Sequence, residues 1–186
     1  MAQRYKTYTE TSDQGETALA DGRRVAKSAA RIEALGEVEE ANTLVGVARL
    51  EADAQFDTIL AQIQNDLFDL GADLSMPISA DAPPTLRVTP AQIDWLEARI
   101  EAVAAALEPQ MGFVLPAGSP AAVRLYAARA VARRAERAVV RLLEAPEEAV
   151  NRLVLAYLNR LSDLLFVLAR AANGMGGADI LRVTAG

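Results

Sequence analysis

The 186-residue chain has no cysteine and no histidine, and its cations are two lysines against seventeen arginines. Without cysteine there are no disulfides, thiolate metal sites or cysteine nucleophiles; without histidine there is no imidazole base and no imidazole-bound metal. Chemistry is left to carboxylates, arginine, lysine, hydroxyls, backbone amides or a bound reactant. No apolar run reaches the eighteen or so residues that span a bilayer, and the polar start "MAQRYKTYTETSDQ" has no signal-peptide core. The net charge of −6 disfavours a nucleic-acid surface or an anionic membrane as partner. A soluble, cytoplasmic protein of one domain, residues 1–186, is expected.

What the chain does have is helical periodicity. Leu60, Ile63, Leu67, Leu70 and Leu74 recur at alternating steps of three and four. So do Ile93, Leu96, Ile100, Val103 and Leu107, and Leu125, Ala128, Ala132, Ala135 and Val139. Thr89-Pro90 with Gln92 reads as a capped helix start, and Ser119-Pro120 as another. The pattern predicts an all-α fold, an antiparallel bundle of five helices at about 28–52, 56–75, 90–108, 120–144 and 147–172. Residues 1–27, rich in Thr, Ser, Asp and Gly, and the link "PISADAPPTLRV" stay outside it.

Six arginines and no lysine fall within "RLYAARAVARRAERAVVR", residues 124–141. Arginine presents a rigid planar fork that matches carboxylate or phosphate oxygens, so the bias points to geometric recognition. Arg129, Arg133 and Arg137 drift only about 80° around a helix and form one stripe, while Arg134 points elsewhere. A solvated face, an anion site and a subunit contact all fit such a stripe. In the first helix Glu33, Glu37, Glu40 and Glu51 read as a solvated side. Glu39 and Asn42 fall instead in line with Ile32 and Leu35. A carboxylate on a partly apolar face calls for a charged partner, for which Arg129 is the candidate; the other reading leaves Glu39 in water. In the fifth helix Asn159, Ser162, Asp163 and Phe166 share one face, suited to a wet interface or a ligand.

The segment "TYTETSDQGETALADGRRVAKS" offers two glycines, hydroxyls and Lys27 before a helix start. These are groups a polyphosphate needs, although no glycine precedes Lys27 as a Walker A loop would require, and plain surface loops share the composition.

Together these stretches resemble the propanediol-utilisation type of ATP:cob(I)alamin adenosyltransferase. "YTETSDQGET" resembles the family's opening loop, "DGRRVAKS" its lysine segment and "RIEALGEVEEANTLVGVAR" its first helix. "IQNDLFDLGADLS", "FVLPAGSPAA", "ARAVARRAER" and "YLNRLSDLLFVLAR" resemble the remaining signatures. The resemblance implies a ferritin-like five-helix bundle over 28–172, an ATP-binding loop over 1–27 and a C-terminal tail over 173–186. It implies a homotrimer with active sites between subunits. ATP would be bound by Thr9, Thr11, Asp13, Gly15, Thr17, Lys27, Arg133, Arg134, Glu136, Arg137 and Asn159. Arg133, Arg137, Asn159 and Phe113 would carry catalysis, and Arg129 would pair with Glu39 across a subunit boundary.

The implied reaction moves the 5′-deoxyadenosyl group of ATP to the cobalt of reduced cobalamin and releases triphosphate. Cobalt(I) is the nucleophile, so the protein supplies none, in keeping with a chain lacking Cys and His. Mg²⁺ would accompany ATP, with no residue assigned to it. Cobalamin would be held without a lower axial ligand, Phe113 filling that space. The resemblance also implies a flavoprotein reductase and a cobalamin-dependent mutase or dehydratase as partners. The family's T-R-T-G-D stands here as Thr9, Glu10, Thr11, Ser12 and Asp13, a change unfavourable for ATP. Ala117, Tyr126 and Ala41 replace a glycine, a histidine and a leucine, and Glu39 an aspartate. Two alternatives follow: a non-catalytic relative that binds or delivers cobalamin, and an unrelated structural bundle.

Overall fold

The computed structural model describes residues 10–78, 85–145 and 148–183. It contains β1 (Glu16–Ala18) and β2 (Arg24–Ala26), followed by α1 (Ala30–Arg49), α2 (Ala54–Ser75), α3 (Pro90–Ala104), α4 (Pro120–Glu144) and α5 (Leu153–Ala172). Five helices are found where five were expected, and the differences lie at their ends. α2 starts earlier than predicted because Asp53 Oδ1 accepts the Phe56 amide at 2.8 Å as an N-cap. α5 starts at Leu153 rather than 147, because the Asn151 side chain accepts the Leu153 amide while its own amide group donates to Asp73. α1 and α3 end three and four residues early, in turns whose amides reach back three residues. α4 runs over 120–144 as predicted, with Ser119 Oγ accepting the Ala122 amide.

The antiparallel hairpin of β1 and β2, pairing Thr17 with Val25, was not expected. Its turn closes through Leu19 and Arg23, with Gly22 at a φ of +85° that favours glycine. Three-residue strands are too short to announce themselves by alternation.

Side-chain pairs along the helices give their directions. Asn42 meets Gln64 and Arg49 meets Asp57, so α1 and α2 run antiparallel. Arg124, Arg134 and Arg141 of α4 meet Glu51, Glu40 and Glu33 in reverse order, so α1 and α4 do too. Consecutive helices alternate, and α3 and α5, which pack side by side, therefore run parallel.

The centre of the bundle is α4. Ala122, Ala128, Ala132, Ala135 and Ala138 are completely or almost completely buried against α1 and α5. Alanine keeps the helix axes close, and Leu158, Leu161, Leu165 and Leu168 of α5 supply the bulk that fills the space. One end of the bundle holds an inserted polar knot. Asp73, 2 % exposed, accepts from Arg87 Nη1 at 2.7 Å, the Val88 amide at 2.8 Å and Asn151 Nδ2 at 2.7 Å. Arg31, 1 % exposed, donates to the Leu74 and Ala149 carbonyls and pairs with Glu148. These bonds tie the described part of the proline link and the approach to α5 onto the C-terminal end of α2. Deeper in the core Tyr157 donates to Asp66 Oδ2 at 3.1 Å, and burial, with that carboxylate beside it, pushes the phenol pKa well above its ordinary value.

Asp73→Ala is expected to cost roughly 3–5 kcal/mol, because it strands the Arg87 charge and leaves a buried amide unpaired. Urea unfolding measures this, and a loss below 1 kcal/mol would mean that water replaces the carboxylate at little cost.

Candidate functional site

The residues singled out from the sequence do not form one cluster within the chain. Lys27 precedes the start of α1, and the hairpin beside it reaches the end of α2, where the Ala20 amide donates to the Ser75 carbonyl at 3.1 Å. Phe113 sits in the loop that leads into α4, next to the end of α5, and therefore at the opposite end of the bundle. α4 has 25 residues, so these ends are roughly 37 Å apart at about 1.5 Å per residue.

At the hairpin end, Thr9 lies outside the described residues. Glu10–Ser12 form a single 3-10 turn, and the Thr11 carbonyl accepts from Arg24 Nη2 at 2.7 Å. Gly15, with φ of +82°, places its carbonyl to accept the Lys27 amide at 2.8 Å. Asp13 and the Lys27 side chain are exposed, and Thr17 is half-buried in β1. Among the described residues Met175 alone combines a side chain with positive φ, so Ser12 occupies its position without backbone strain.

The arginines of α4 divide into two sets. Arg134 donates Nε to Glu37 at 2.6 Å and pairs through Nη2 with Glu40, Arg141 meets Glu33 at 2.6 Å, and Arg124 meets Glu51 at 2.9 Å. The acids expected to face only water are thus the partners of α4. Helical phase shows which way they point, whereas the neighbour on that side is set by packing. The hydrogen bonds that Arg134 donates, first to Glu40 and then to Glu37, raise its pKa. Arg134 therefore faces α1 and is already engaged. Arg133 and Arg137 are exposed and make no ion pair with another described residue.

Between α4 and α5, Asn159 Nδ2 donates to Glu136 Oε1 at 3.1 Å and its Oδ1 accepts from Arg160 Nη1 at 2.9 Å. Arg160 is held in turn by Glu97 of α3 at 2.7 Å. The amide of Asn159 is thereby oriented beside the Arg133 and Arg137 stripe. Farther along the same groove the Arg129 guanidinium lies 5.3 Å from the centre of the Phe166 ring, which contacts Tyr126 at 6.3 Å. Arg129 Nε, the Tyr126 hydroxyl and the Ser162 hydroxyl are buried with no hydrogen-bond partner among the described residues. Burial raises the Tyr126 pKa.

Glu39 does not reach Arg129 within one chain. It lies on the rim of a cavity of about 780 Å³ between α1 and α2, with Asn42, Gln64, Gly71 and Phe68 on its walls. Phe68 is 74 % exposed, and Glu39 has no ion-pair partner among the described residues. No group of three or more acidic side chains able to hold a metal ion exists among the described residues.

The buried ionic residues Arg31, Asp66, Asp73 and Arg170 were missed in the sequence. A signal existed: Ile59, Ile63, Asp66, Leu70 and Asp73 recur at steps of four and three, as do Arg31, Ala34, Val38 and Ala41.

A family model described as cobalamin adenosyltransferase matches residues 7–172. The corrinoid adenosyltransferase of Mycobacterium tuberculosis is 48% identical over 174 residues, covering 92% of this chain and 90% of the relative. Two solved structures of variants of the PduO-type ATP:corrinoid adenosyltransferase from Lactobacillus reuteri, complexed with cobalamin and ATP, share the fold. One is 34% identical with a TM-score of 0.89, covering 96% of this chain and 100% of that one. The other is 35% identical with a TM-score of 0.88, covering 95% and 96%.

Tyr126→Phe is expected to leave the isolated chain equally stable or more stable by on the order of 1 kcal/mol, because the lost hydroxyl has no partner. A loss of more than about 1 kcal/mol in urea unfolding would reveal a partner.

Proposed function

We propose a function from one premise: the chain belongs to the cobalamin adenosyltransferase family, as the match over residues 7–172 and the identities of up to 48% show. It transfers the 5′-deoxyadenosyl group of ATP to the cobalt of reduced cobalamin, giving adenosylcobalamin and triphosphate. Bond formation is between cobalt and C5′, and the bond that breaks joins C5′ to the triphosphate oxygen, which departs with the electron pair. The protein has to orient C5′, stabilise the growing charge on the leaving group and keep water away.

One observation carries the assignment of residues. On a helix where Arg124, Arg134 and Arg141 are paired with acids, Arg133 and Arg137 make no ion pair among the described residues and stand beside the oriented amide of Asn159. Unpaired guanidinium groups on one stripe match the oxygens of a polyphosphate. Glu136 orients Asn159, and Arg134 contributes at most after releasing Glu40. Thr11, Asp13, Gly15, Thr17 and Lys27, with Thr9, form the loop that closes on ATP. Mg²⁺ enters this proposal only as a companion of ATP, and none of these roles depends on it.

Because Lys27 and Phe113 lie at opposite ends of one chain, a second copy must supply part of each site. A homotrimer with sites between subunits meets that need. Among the described residues Arg129 Nε is buried without a hydrogen-bond partner and Glu39, on a different helix, has no ion-pair partner, which supports their pairing across the boundary. Phe113, 76 % exposed, has a ring uncovered by its own chain and is assigned the lower face of the corrin. With no histidine in the chain, no imidazole competes for that position.

A corrin carrier without nucleotide chemistry has less support, since Ser12 is unstrained and Lys27, Arg133 and Arg137 remain available. We place the enzyme in the cytoplasm; no described helix is long and apolar enough to cross a membrane. The chemistry requires an electron source, assigned to a flavoprotein reductase, and a consumer of adenosylcobalamin such as a mutase or dehydratase.

Arg137→Ala and Asn159→Ala are each expected to weaken ATP binding about tenfold or more, while assembly stays intact. Calorimetric affinities equal to wild type in both would remove these residues from the site. For the subunit pair, Arg129→Ala and Glu39→Ala should each cost roughly 3–5 kcal/mol in assembly, and the double variant less than their sum. Coupling indistinguishable from zero in that cycle would mean that the two side chains never meet.

A further inference from the structure

At the end of the bundle opposite the hairpin, a buried ion pair touches none of the residues assigned to ATP. Arg170 in the last turn of α5 donates Nε to Asp179 Oδ2 at 2.7 Å, with side chains 8% and 4% exposed. Its Nη2 donates to the Glu108 carbonyl at 2.8 Å. Asn173, also buried, accepts the Ser119 amide at 2.9 Å and donates to the Ala117 carbonyl at 3.0 Å and to Asp179 Oδ1 at 3.3 Å. Arg170 and Asn173 thus fasten both ends of the stretch 108–119 to the end of α5, and Asp179 bridges the two.

The middle of that stretch is gripped by backbone. Val114 forms a bridge with Leu181, the Leu115 amide donates to the Ile180 carbonyl at 2.7 Å, and the Arg182 amide donates to the Phe113 carbonyl at 2.8 Å. Close packing leaves no room for side chains at two glycines. A Cβ on Gly118 would lie 2.2 Å from Asn173 Oδ1, and one on Gly176 would lie 2.8 Å from Arg170 Nη2; both have positive φ.

A buried ion pair seldom improves stability over apolar packing, because desolvating two charges offsets most of their attraction. What this one provides is geometry. The Phe113 ring is too exposed for packing within its own chain to orient it, so its direction follows from the backbone beneath.

We infer that Arg170, Asp179 and Asn173 form a clasp that sets the position of Phe113, which makes Arg170 and Asp179 positioning residues for adenosyl transfer. This rests on the role given to Phe113 above. The clasp acts through residues 180–182, and none of its three side chains is among the residues assigned to ATP or to the corrin.

Two variants of the full-length protein test it. Asp179→Asn keeps the shape and removes the charge. Arg182→Pro removes the amide that donates to Phe113, at a side chain that lies in solvent. In both, amide exchange over 111–118 should accelerate about tenfold or more. With cob(II)alamin and ATP bound, the four-coordinate Co(II) signal should fall by about half or more, while ATP affinity stays within about twofold of wild type. Wild-type exchange together with a wild-type cobalt spectrum would overturn the inference. So would a loosened loop with an unchanged spectrum, provided that Phe113→Ala alters that spectrum. If Phe113→Ala itself leaves the spectrum unaltered, the role given to Phe113 fails and the inference falls with it. Should Asp179→Asn not fold, Arg182→Pro decides alone.

Discussion

Close approach along the alanine face of α4 is the constraint on which the rest of the molecule depends. Ala122, Ala128, Ala132, Ala135 and Ala138 let α1 and α5 pack near the α4 axis. Once those faces are committed, each remaining position of α4 has a determined neighbour. Arg124, Arg134 and Arg141 turn to the acids of α1, and Arg133 and Arg137 are left facing out. In this arginine-rich helix of an acidic protein, paired guanidinium groups thereby fix the antiparallel register, while two others make no ion pair among the described residues.

The alternating direction of the helices separates the chemistry. Hairpin, Lys27 and the Asp73 knot share one end, and the Phe113 loop with its clasp takes the other. Arg133, Arg137 and Asn159 lie between. A helix of 25 residues is roughly 37 Å long, far beyond the reach of any side chain, so the proposed catalytic centre, which needs both ends, would have to be assembled from two copies. Unpartnered groups at the sides, Glu39 on α1 and Arg129 on α4, fit the same arrangement.

Apart from Asp66, which accepts from Tyr157 inside the bundle, buried charge among the described residues marks places where irregular chain meets the helices. Asp73 and Arg31 hold the link before α3 and the approach to α5, and Arg170 with Asn173 and Asp179 holds the loop before α4 and the C-terminal segment. Loops lack the regular backbone bonding of helices, so their carbonyls and amides need side-chain partners when they are covered. A charged side chain can satisfy several at once, as Asp73 does for Arg87, Val88 and Asn151.

Helix number, approximate limits and buried faces were legible in the sequence, because a 3.6-residue period and caps such as Ser119-Pro120 are local properties. The stripe of Arg129, Arg133 and Arg137 was legible for the same reason, and the motifs pointed to the family. The last residues of α1 and α3 and the first of α5 were not, since Asn151 stops one helix from starting early only by being anchored to Asp73, distant in sequence. The partners of Glu33, Glu37 and Glu40 were likewise hidden: phase states a direction, while the tertiary structure decides what stands there. The clasp on Phe113 had no sequence signal, because Arg170, Asn173 and Asp179 acquire a common target only when the chain after α5 folds back over the loop before α4.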